Sequence, residues 1–261
     1  MTKVSMLYDM QACIRCFACS VQCGIENRAR LSRDGRGGTE RVVAEQRPEL
    51  RYIFPVPGYR GTYPSARPVT ELRHCMHCAN APCARRCPAA AIEVKPYGVV
   101  VIHEERCIGC RACLEACPFD VPRFNPRLGK TFKCFMCYDR IEAGLPPACV
   151  EACPAKALYF GSREEVLAEA RRRAENYRRR LGEDFTVYGA EPVSEATGYL
   201  HWVTVGPSRI LADYQLRPGA SRPQIEAVDA VRTLGWVLFG VEAAGILGHF
   251  LYSLGREEKE V

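Results

Sequence analysis

A chain of 261 residues with 16 cysteines is not a disulfide scaffold, because such frameworks belong to short secreted chains and do not close loops of two residues. Its 36 Lys and Arg against 30 Asp and Glu give a formal charge of +6, a value that counts every cysteine as neutral. The chain carries no nucleophile triad and no Gly-rich phosphate loop, so no catalysis by the isolated chain is expected.

The first twelve residues are mixed, with no apolar core and no twin arginine, so no signal peptide is read there. A first cysteine group follows: Cys13, Cys16, Cys19 and Cys23. Residues 24–74 form an insertion rich in Gly, Pro and Arg, expected to be irregular with one short strand near 50–56, and suited to contact with a partner. The second group is Cys75, Cys78, Cys83 and Cys87, flanked by His74 and His77, which are placed to tune a metal group rather than to ligate it. Residues 91–94 and 99–102 read as two short strands around the turn Pro96, Tyr97, Gly98. The third group is Cys107, Cys110, Cys113 and Cys117, and the fourth is Cys134, Cys137, Cys149 and Cys153.

Residues 157–161 close this region, and Ser162 with Glu165 three positions on is a capping box. Leu167, Ala170, Ala174, Tyr177 and Leu181 make a narrow apolar stripe on the helix that follows. Its other face is dense in arginine (171–173 and 178–180), but Glu164, Glu165, Glu169 and Glu175 dilute the charge and weigh against nucleic-acid binding. Residues 191–230 read as an extended linker with Pro207, Pro218, Gly219 and Pro223. Residues 234–254 hold no Lys, Arg or Asp and one Glu, about the ~20 residues that a membrane-spanning helix needs. Gly240, Ala244 and Gly248 would suit packing on another membrane helix. Glu242 and His249 share a face and favour instead a helix docked on protein. A polar tail, 256–261, ends the chain.

The cysteine spacing carries the chemistry. Two groups read C-x2-C-x2-C-x3-C without interruption, and a three-residue step reaches at most ~10 Å, so three thiolates can wrap one corner of a small inorganic cube. Proline follows Cys87, Cys117 and Cys153 and helps steer that last sulfur toward a different cube. Structural zinc would leave Cys19, Cys83 and Cys113 surplus. Four 4Fe-4S clusters are therefore expected, and by the two-cluster ferredoxin rule the last cysteine of each group serves the other cluster of its module.

The second and third groups, nineteen residues apart, pair as an inner module: Cys75, Cys78, Cys83 with Cys117, and Cys107, Cys110, Cys113 with Cys87. The first and fourth pair around it: Cys13, Cys16, Cys19 with Cys153, and Cys134, Cys137, Cys149 with Cys23. Two departures stand out, Gly24 in place of proline after Cys23 and the eleven residues between Cys137 and Cys149. With clusters bound, the net charge becomes about −2. Arg15, Arg85, Arg86, Arg111 and Lys133 lie in or beside the ligand runs, where they either raise reduction potentials or form a solvated surface. Ile14, Phe17, Ile108, Phe119, Phe132 and Phe135 are expected to shield the cubes from water.

The expected fold is α+β: two nested bacterial ferredoxin-like modules in 1–160 (insertion 24–74, inner module 75–117), an amphipathic helix and short connection in 161–190, the linker, and a transmembrane helix in 231–255. The order of the four groups and the stretch 133–165, beginning K-C-F-M-C-Y-D-R, resemble the four-cluster iron-sulfur subunits of molybdopterin oxidoreductases of the dimethyl sulfoxide reductase superfamily. The arginine-rich helix, the V-Y-G segment at 187–189, the strand-like run 198–205 and the C-terminal apolar segment are most similar to the β-subunit of membrane-bound respiratory formate dehydrogenase. Related subunits serve polysulfide, thiosulfate, tetrathionate and nitrite systems and some hydrogenases. Cysteine at all four positions of the third group sets the nitrate reductase relatives aside, since one of their ligands is tryptophan.

The resemblance implies an electron-transfer subunit between a molybdenum or tungsten pterin catalytic subunit and a cytochrome b-type, quinone-linked membrane subunit. Electrons would enter at the cluster of Cys13, Cys16, Cys19 and Cys153 and leave through the inner module. The chain is expected at the cell membrane through its C-terminal helix, either facing the cytoplasm or carried across by a signal-bearing partner, and the periplasmic face is the expected side. A membrane-tethered polyferredoxin acting as a mobile carrier is the alternative reading.

Overall fold

The computed structural model describes residues 2–27, 52–60, 63–64, 66–126, 128–211, 241–242 and 244–245. Among these the elements run β1 (Val4–Asp9), α1 (Ala18–Glu26), β2 (Phe54–Arg60), β3 (Arg67–Arg73), α2 (Pro82–Arg85), β4 (Ile92–Val94), β5 (Val100–Ile102), α3 (Ala112–Ala116), β6 (Arg123–Asn125), β7 (Lys130–Phe132), α4 (Tyr138–Glu142), α5 (Ala148–Glu151), β8 (Leu158–Ser162), α6 (Arg163–Leu181), β9 (Phe185–Tyr188), β10 (Trp202–Pro207) and α7 (Ser208–Leu211). All belong to the first of two units, Met1–Pro218 and Gly219–Val261.

Four stretches far apart in sequence make the main sheet, in the order β8-β1-β10-β9. β1 runs parallel to β10, with Met6 opposite Trp202, and antiparallel to β8, with Met6 opposite Phe160. Because side chains alternate along a strand, β1 serves two cores. Ser5, Leu7 and Asp9 face α6, where Leu7, Val166, Ala170, Ala174, Phe185, Val203 and Val205 pack together. Met6, Tyr8 and Met10 face the opposite way, into the larger core shared with the cysteine loops.

α6 begins with the expected capping box, Ser162 and Glu165 bonding reciprocally, and ends at Gly182. Its packed face keeps Leu167, Ala170, Ala174 and Tyr177 of the sequence reading and adds the fully buried Val166, whereas Leu181 is 43% exposed. A helix of this length drifts against a flat sheet, so its last turn leaves the core. The insertion holds two seven-residue strands paired antiparallel, β2 with β3, rather than one short strand. The hairpin lies over the main sheet through the Tyr8 hydroxyl, which donates to Thr70 O at 2.7 Å. Each X-Pro step in these strands removes a donor, which a two-stranded hairpin tolerates because one edge of each strand is unpaired.

Within the segment read as a linker, the strand-like run 198–205 leads into β10, the second interior strand of the sheet. Residues just before it also hold a ligand loop in place: Ala79 N donates to Tyr199 O, and the Trp202 and His201 amides to Met76 O and His77 O. The turn at Tyr97 joins the same assembly, with Val4 N donating to its carbonyl at 3.1 Å. Gly98, at φ 89°, closes that turn directly beneath the His201 imidazole, where a β-carbon would overlap the ring.

Most of the expected spanning segment, residues 234–254, lies outside the described residues; 241, 242, 244 and 245 are helical. Among the described residues no helix is long and apolar enough to cross a membrane.

Candidate metal centres

The four ligand loops share a backbone device that their sequences do not advertise. In each, the residue before the second cysteine has a positive φ: Arg15 (60°), His77 (48°), Gly109 (72°) and Met136 (56°). A left-handed residue reverses the chain locally, so that the cysteines on either side curl around one centre. For a non-glycine this conformation costs ~1–2 kcal/mol. Only Gly109 shows the requirement in its residue type, and its α-carbon is further confined by Gly129 O.

The Cys-Pro steps form a second repeated device. Ala90 N, Asp120 N and Lys156 N donate to the carbonyls of Cys87, Cys117 and Cys153 at 3.2, 3.3 and 3.2 Å, each donor residue again at positive φ. Proline at the second position of such a turn presets φ. Cys23, which lacks the proline, sits instead inside α1, and Asn27 binds both its carbonyl (2.8 Å) and its sulfur (3.6 Å). The departure in sequence is therefore a change from turn to helix.

The thiols surround cavities rather than points. One cavity of about 390 Å³, its mouth included, is lined by Cys13, Cys16, Cys19 and Cys153, with Pro55 and Leu72 of the hairpin as part of its wall. Another of about 360 Å³ is lined by Cys75, Cys78, Cys83 and Cys117, with Phe119 and Lys133. Cys23, Cys137 and Cys134 gather with Cys149 between α1, α4 and α5, close enough that their charges oppose its ionisation. Cys107 and Cys110 lie close enough to Cys113 to oppose its ionisation, and Cys113 shares a small apolar core with Cys87. Among the described residues no three His, Cys, Asp or Glu side chains converge on a single metal ion.

Neighbouring cages approach one another at three junctions, where thiols of different groups interact electrostatically: Cys19 with Cys149, Cys134 with Cys75, and Cys83 with Cys113. Two helix contacts repeat beneath them. α1, carrying Cys19 and Cys23, packs on α5, carrying Cys149, just as α2, carrying Cys83, packs on α3, carrying Cys113.

Burial dominates the electrostatics. It pushes the thiols of Cys19, Cys83 and Cys137 up to about 12 and Cys117 to about 11, with repulsion from other thiols adding to it. Cys78, Cys134 and Cys149 are raised as well, for the same reasons. Such thiols stay protonated unless a cationic group replaces the proton, which suits a site completed by metal. Amide donors soften the crowding, as Met136 N to Cys134 Sγ and Ala91 N to Cys87 Sγ do, both at 3.3 Å. Three thiols from one loop and a fourth from a distant turn or helix, around an enclosed volume, are the donor set of a 4Fe-4S cube.

The remaining expectations divide. Phe119, Phe132 and Phe135 are buried, but Ile14, Phe17 and Ile108 are 61%, 39% and 67% exposed, so they rim their loops rather than seal them. Loops that run over the surface keep one wall open, and Cys16 and Cys110 are exposed there too. Arg15, Arg85 and Arg111 are exposed, and Arg111 lies over the Phe124 ring, 3.9 Å from its centroid. Lys133 alone of the five is buried. His74 and His77 are fully buried, and burial holds both neutral, His74 at about 3 and His77 well below its ordinary value. His77 Nδ1 accepts from Val100 N at 3.0 Å, and His74 stacks on Trp202, 3.5 Å between centroids.

Two residues went unnoticed in the sequence. Asp9 is fully buried and accepts from Gln11 N, Ala12 N, Arg173 and Tyr177, tying the first loop to α6. Arg140 joins α4 to Glu26 of α1 (3.3 Å) and Glu151 of α5 (2.5 Å), bracing the outer helices. Neither belongs to a motif; both act across more than a hundred residues of chain or between separate helices.

Fold and thiol geometry together define an iron-sulfur protein of the bacterial ferredoxin class. The 4Fe-4S dicluster domain family matches residues 70–163. The formate dehydrogenase, nitrate-inducible, iron-sulfur subunit of Escherichia coli (strain K12) is 34% identical over 194 residues, 73% of this chain and 65% of that relative. The thiosulfate reductase electron transfer subunit PhsB of Salmonella typhi is 38% identical over 161 residues, 61% of this chain and 76% of that relative. A tetrathionate reductase subunit of Salmonella typhimurium (strain LT2) is 35% identical over 162 residues, 61% of this chain and 58% of that relative. The chain belongs to this family of iron-sulfur subunits built on 4Fe-4S dicluster domains. It spans just under two thirds of the length of the formate dehydrogenase subunit it matches.

Proposed function

We propose that the chain is the electron-transfer subunit of a membrane-bound molybdenum or tungsten oxidoreductase, with formate as the substrate of its catalytic partner. The observation that carries this reading is the serial adjacency of four cysteine cages: Cys13, Cys16, Cys19, Cys153; then Cys134, Cys137, Cys149, Cys23; then Cys75, Cys78, Cys83, Cys117; then Cys107, Cys110, Cys113, Cys87. Each cage is assigned one 4Fe-4S cluster, which supplies a one-electron carrier when bound. The protein's part is to hold those carriers in a row, to exclude water from the inner two and to set their potentials.

The two ends of the row are the more exposed ones, where Cys16 and Cys110 reach the surface. They are assigned to the two partners: a pterin catalytic subunit at the first cage, and a cytochrome b-type, quinone-linked membrane subunit at the last. Residues 75–117 form the inner module within an outer one that ends near 160, and residues 234–254 supply a single membrane tether, with the cluster domain on the periplasmic face. Similarity to subunits named for tetrathionate and thiosulfate reductases makes those substrates the second reading.

Iron and acid-labile sulfide analysis of the anaerobically purified complex tests the cofactor content, with about sixteen irons per chain expected from four cubes. Zinc without visible absorbance would overturn it. Cys153→Ser should alter the cluster of Cys13, Cys16 and Cys19; a change confined to the Cys134 cluster would refute the pairing. Detergent extraction should recover a large pterin subunit and a small haem subunit with the chain, and formate should reduce its clusters. A monodisperse lone chain would favour a mobile carrier instead.

A further inference from the structure

Lys133 is the last residue before Cys134, at the junction between the second and third cages in the row, and it is only 6% exposed. Its ammonium donates to the carbonyl oxygens of Val100 and of Cys134, the latter at 2.9 Å. Among the described residues no carboxylate forms an ion pair with it. It lines the cavity of Cys75, Cys78, Cys83 and Cys117. Its charge acts on the thiols of Cys78, Cys83 and Cys117, favouring their ionised form. A buried ammonium without a counter-ion is unfavourable, so the negative charge that compensates it is that of the cage itself.

The other basic residues of the ligand runs do not compete for this role. Arg15, Arg85 and Arg111 are exposed to solvent, which screens them, and Arg86 is half-buried. One unscreened positive charge therefore lines the cavity of Cys75, Cys78, Cys83 and Cys117.

Resting on the electron-transfer reading above, we propose that Lys133 selectively raises the reduction potential of the cluster held by Cys75, Cys78, Cys83 and Cys117. Reduction adds one electron and no proton, taking that cluster with its four thiolates from about −2 to about −3. The added electron is stabilised by a fixed cation in a low-dielectric site, so the third cage becomes a resting station for electrons passing along the row.

The test is an anaerobic redox titration of the purified complex, poised with dithionite and mediators and followed by low-temperature electron paramagnetic resonance. Wild type is compared with Lys133→Met, Lys133→Gln and Lys133→Arg, and the relevant signal is identified as the one altered by Cys75→Ser. At a fixed ambient potential, the ratio of reduced to oxidised cluster should fall about tenfold in the Met and Gln variants, a 59 mV shift for one electron. Lys133→Arg should hold that ratio within about threefold, and the other three signals should change by less than about threefold, as expected for a charge whose effect falls with distance.

Lys133→Gln keeps a donor for the two carbonyls, so it decides the matter if Lys133→Met does not retain iron. An unmoved midpoint in Lys133→Gln with full iron content would overturn the inference alone, as would an equal fall at all four clusters. A wild-type complex lacking the four signals would refute the electron-transfer reading, and this inference with it.

Discussion

Asp9→Asn tests whether α6 and the first ligand loop are one mechanical unit. Asp9 has no solvent exposure, and its four acceptor positions are all used. Oδ1 takes the Gln11 and Ala12 amides at 3.0 and 2.9 Å, and Oδ2 takes Arg173 at 3.1 Å and the Tyr177 hydroxyl at 3.0 Å. In asparagine one oxygen still serves the two amides, but the new NH2 meets two donors, and Arg173, 16% exposed, loses a buried partner. Removing one member of a buried pair costs about 3–5 kcal/mol, and because Arg173 keeps Glu169 at 2.6 Å the lower end applies. For a unit of this size each kcal/mol lowers the unfolding midpoint by about 2–4 °C, so a fall of roughly 6–12 °C is expected.

The assay is anaerobic thermal unfolding, following both circular dichroism and the visible absorbance of the clusters. Arg173→Met and the double variant complete a cycle whose coupling should be about 2 kcal/mol. Since Ala12 immediately precedes Cys13, the signal of the first cage should vanish before the other three as the variant is warmed. A midpoint equal to that of wild type, strict additivity in the cycle, or simultaneous loss of all four signals would refute the reasoning.

Other consequences follow from single contacts. Gly98→Ala forces an alanine to φ 89° and drives its β-carbon into His201, whereas Gly144→Ala, at φ 75°, meets open space. The second should cost about 1–2 kcal/mol and the first clearly more, read as the difference between their unfolding midpoints; equal midpoints would mean that the turn yields without effort. Ser162→Ala removes the capping box of α6 and should cost about 1 kcal/mol, with Ser162→Thr close to wild type. Helical circular dichroism and the thermal midpoint check it, and an unchanged midpoint in the alanine variant would show that packing alone sets the start of α6.

What could be read from the sequence was whatever is local and periodic. Cysteine steps of three residues, proline after Cys87, Cys117 and Cys153, the hairpin around Gly98 and the cap at Ser162 each depend on neighbours a few positions away. Loop reach, fixed φ and helix-end chemistry act at that range, so residue type alone announces them. The left-handed residues before each second cysteine were hidden, because His77, Arg15 and Met136 adopt by tertiary constraint what only Gly109 shows by composition.

Tertiary structure decided everything that joins distant chain. It put β10, the strand-like run inside a segment read as a linker, beside β1, made the insertion a hairpin lying over the first cage, and left Leu181 outside the packed face of α6. It also separated Lys133 from four other basic residues that look the same in sequence. The physical reason is burial. A charge, a thiol or a strand acquires its energetic weight from the water it loses, and which residues lose water depends on segments that meet only when the whole sheet is assembled.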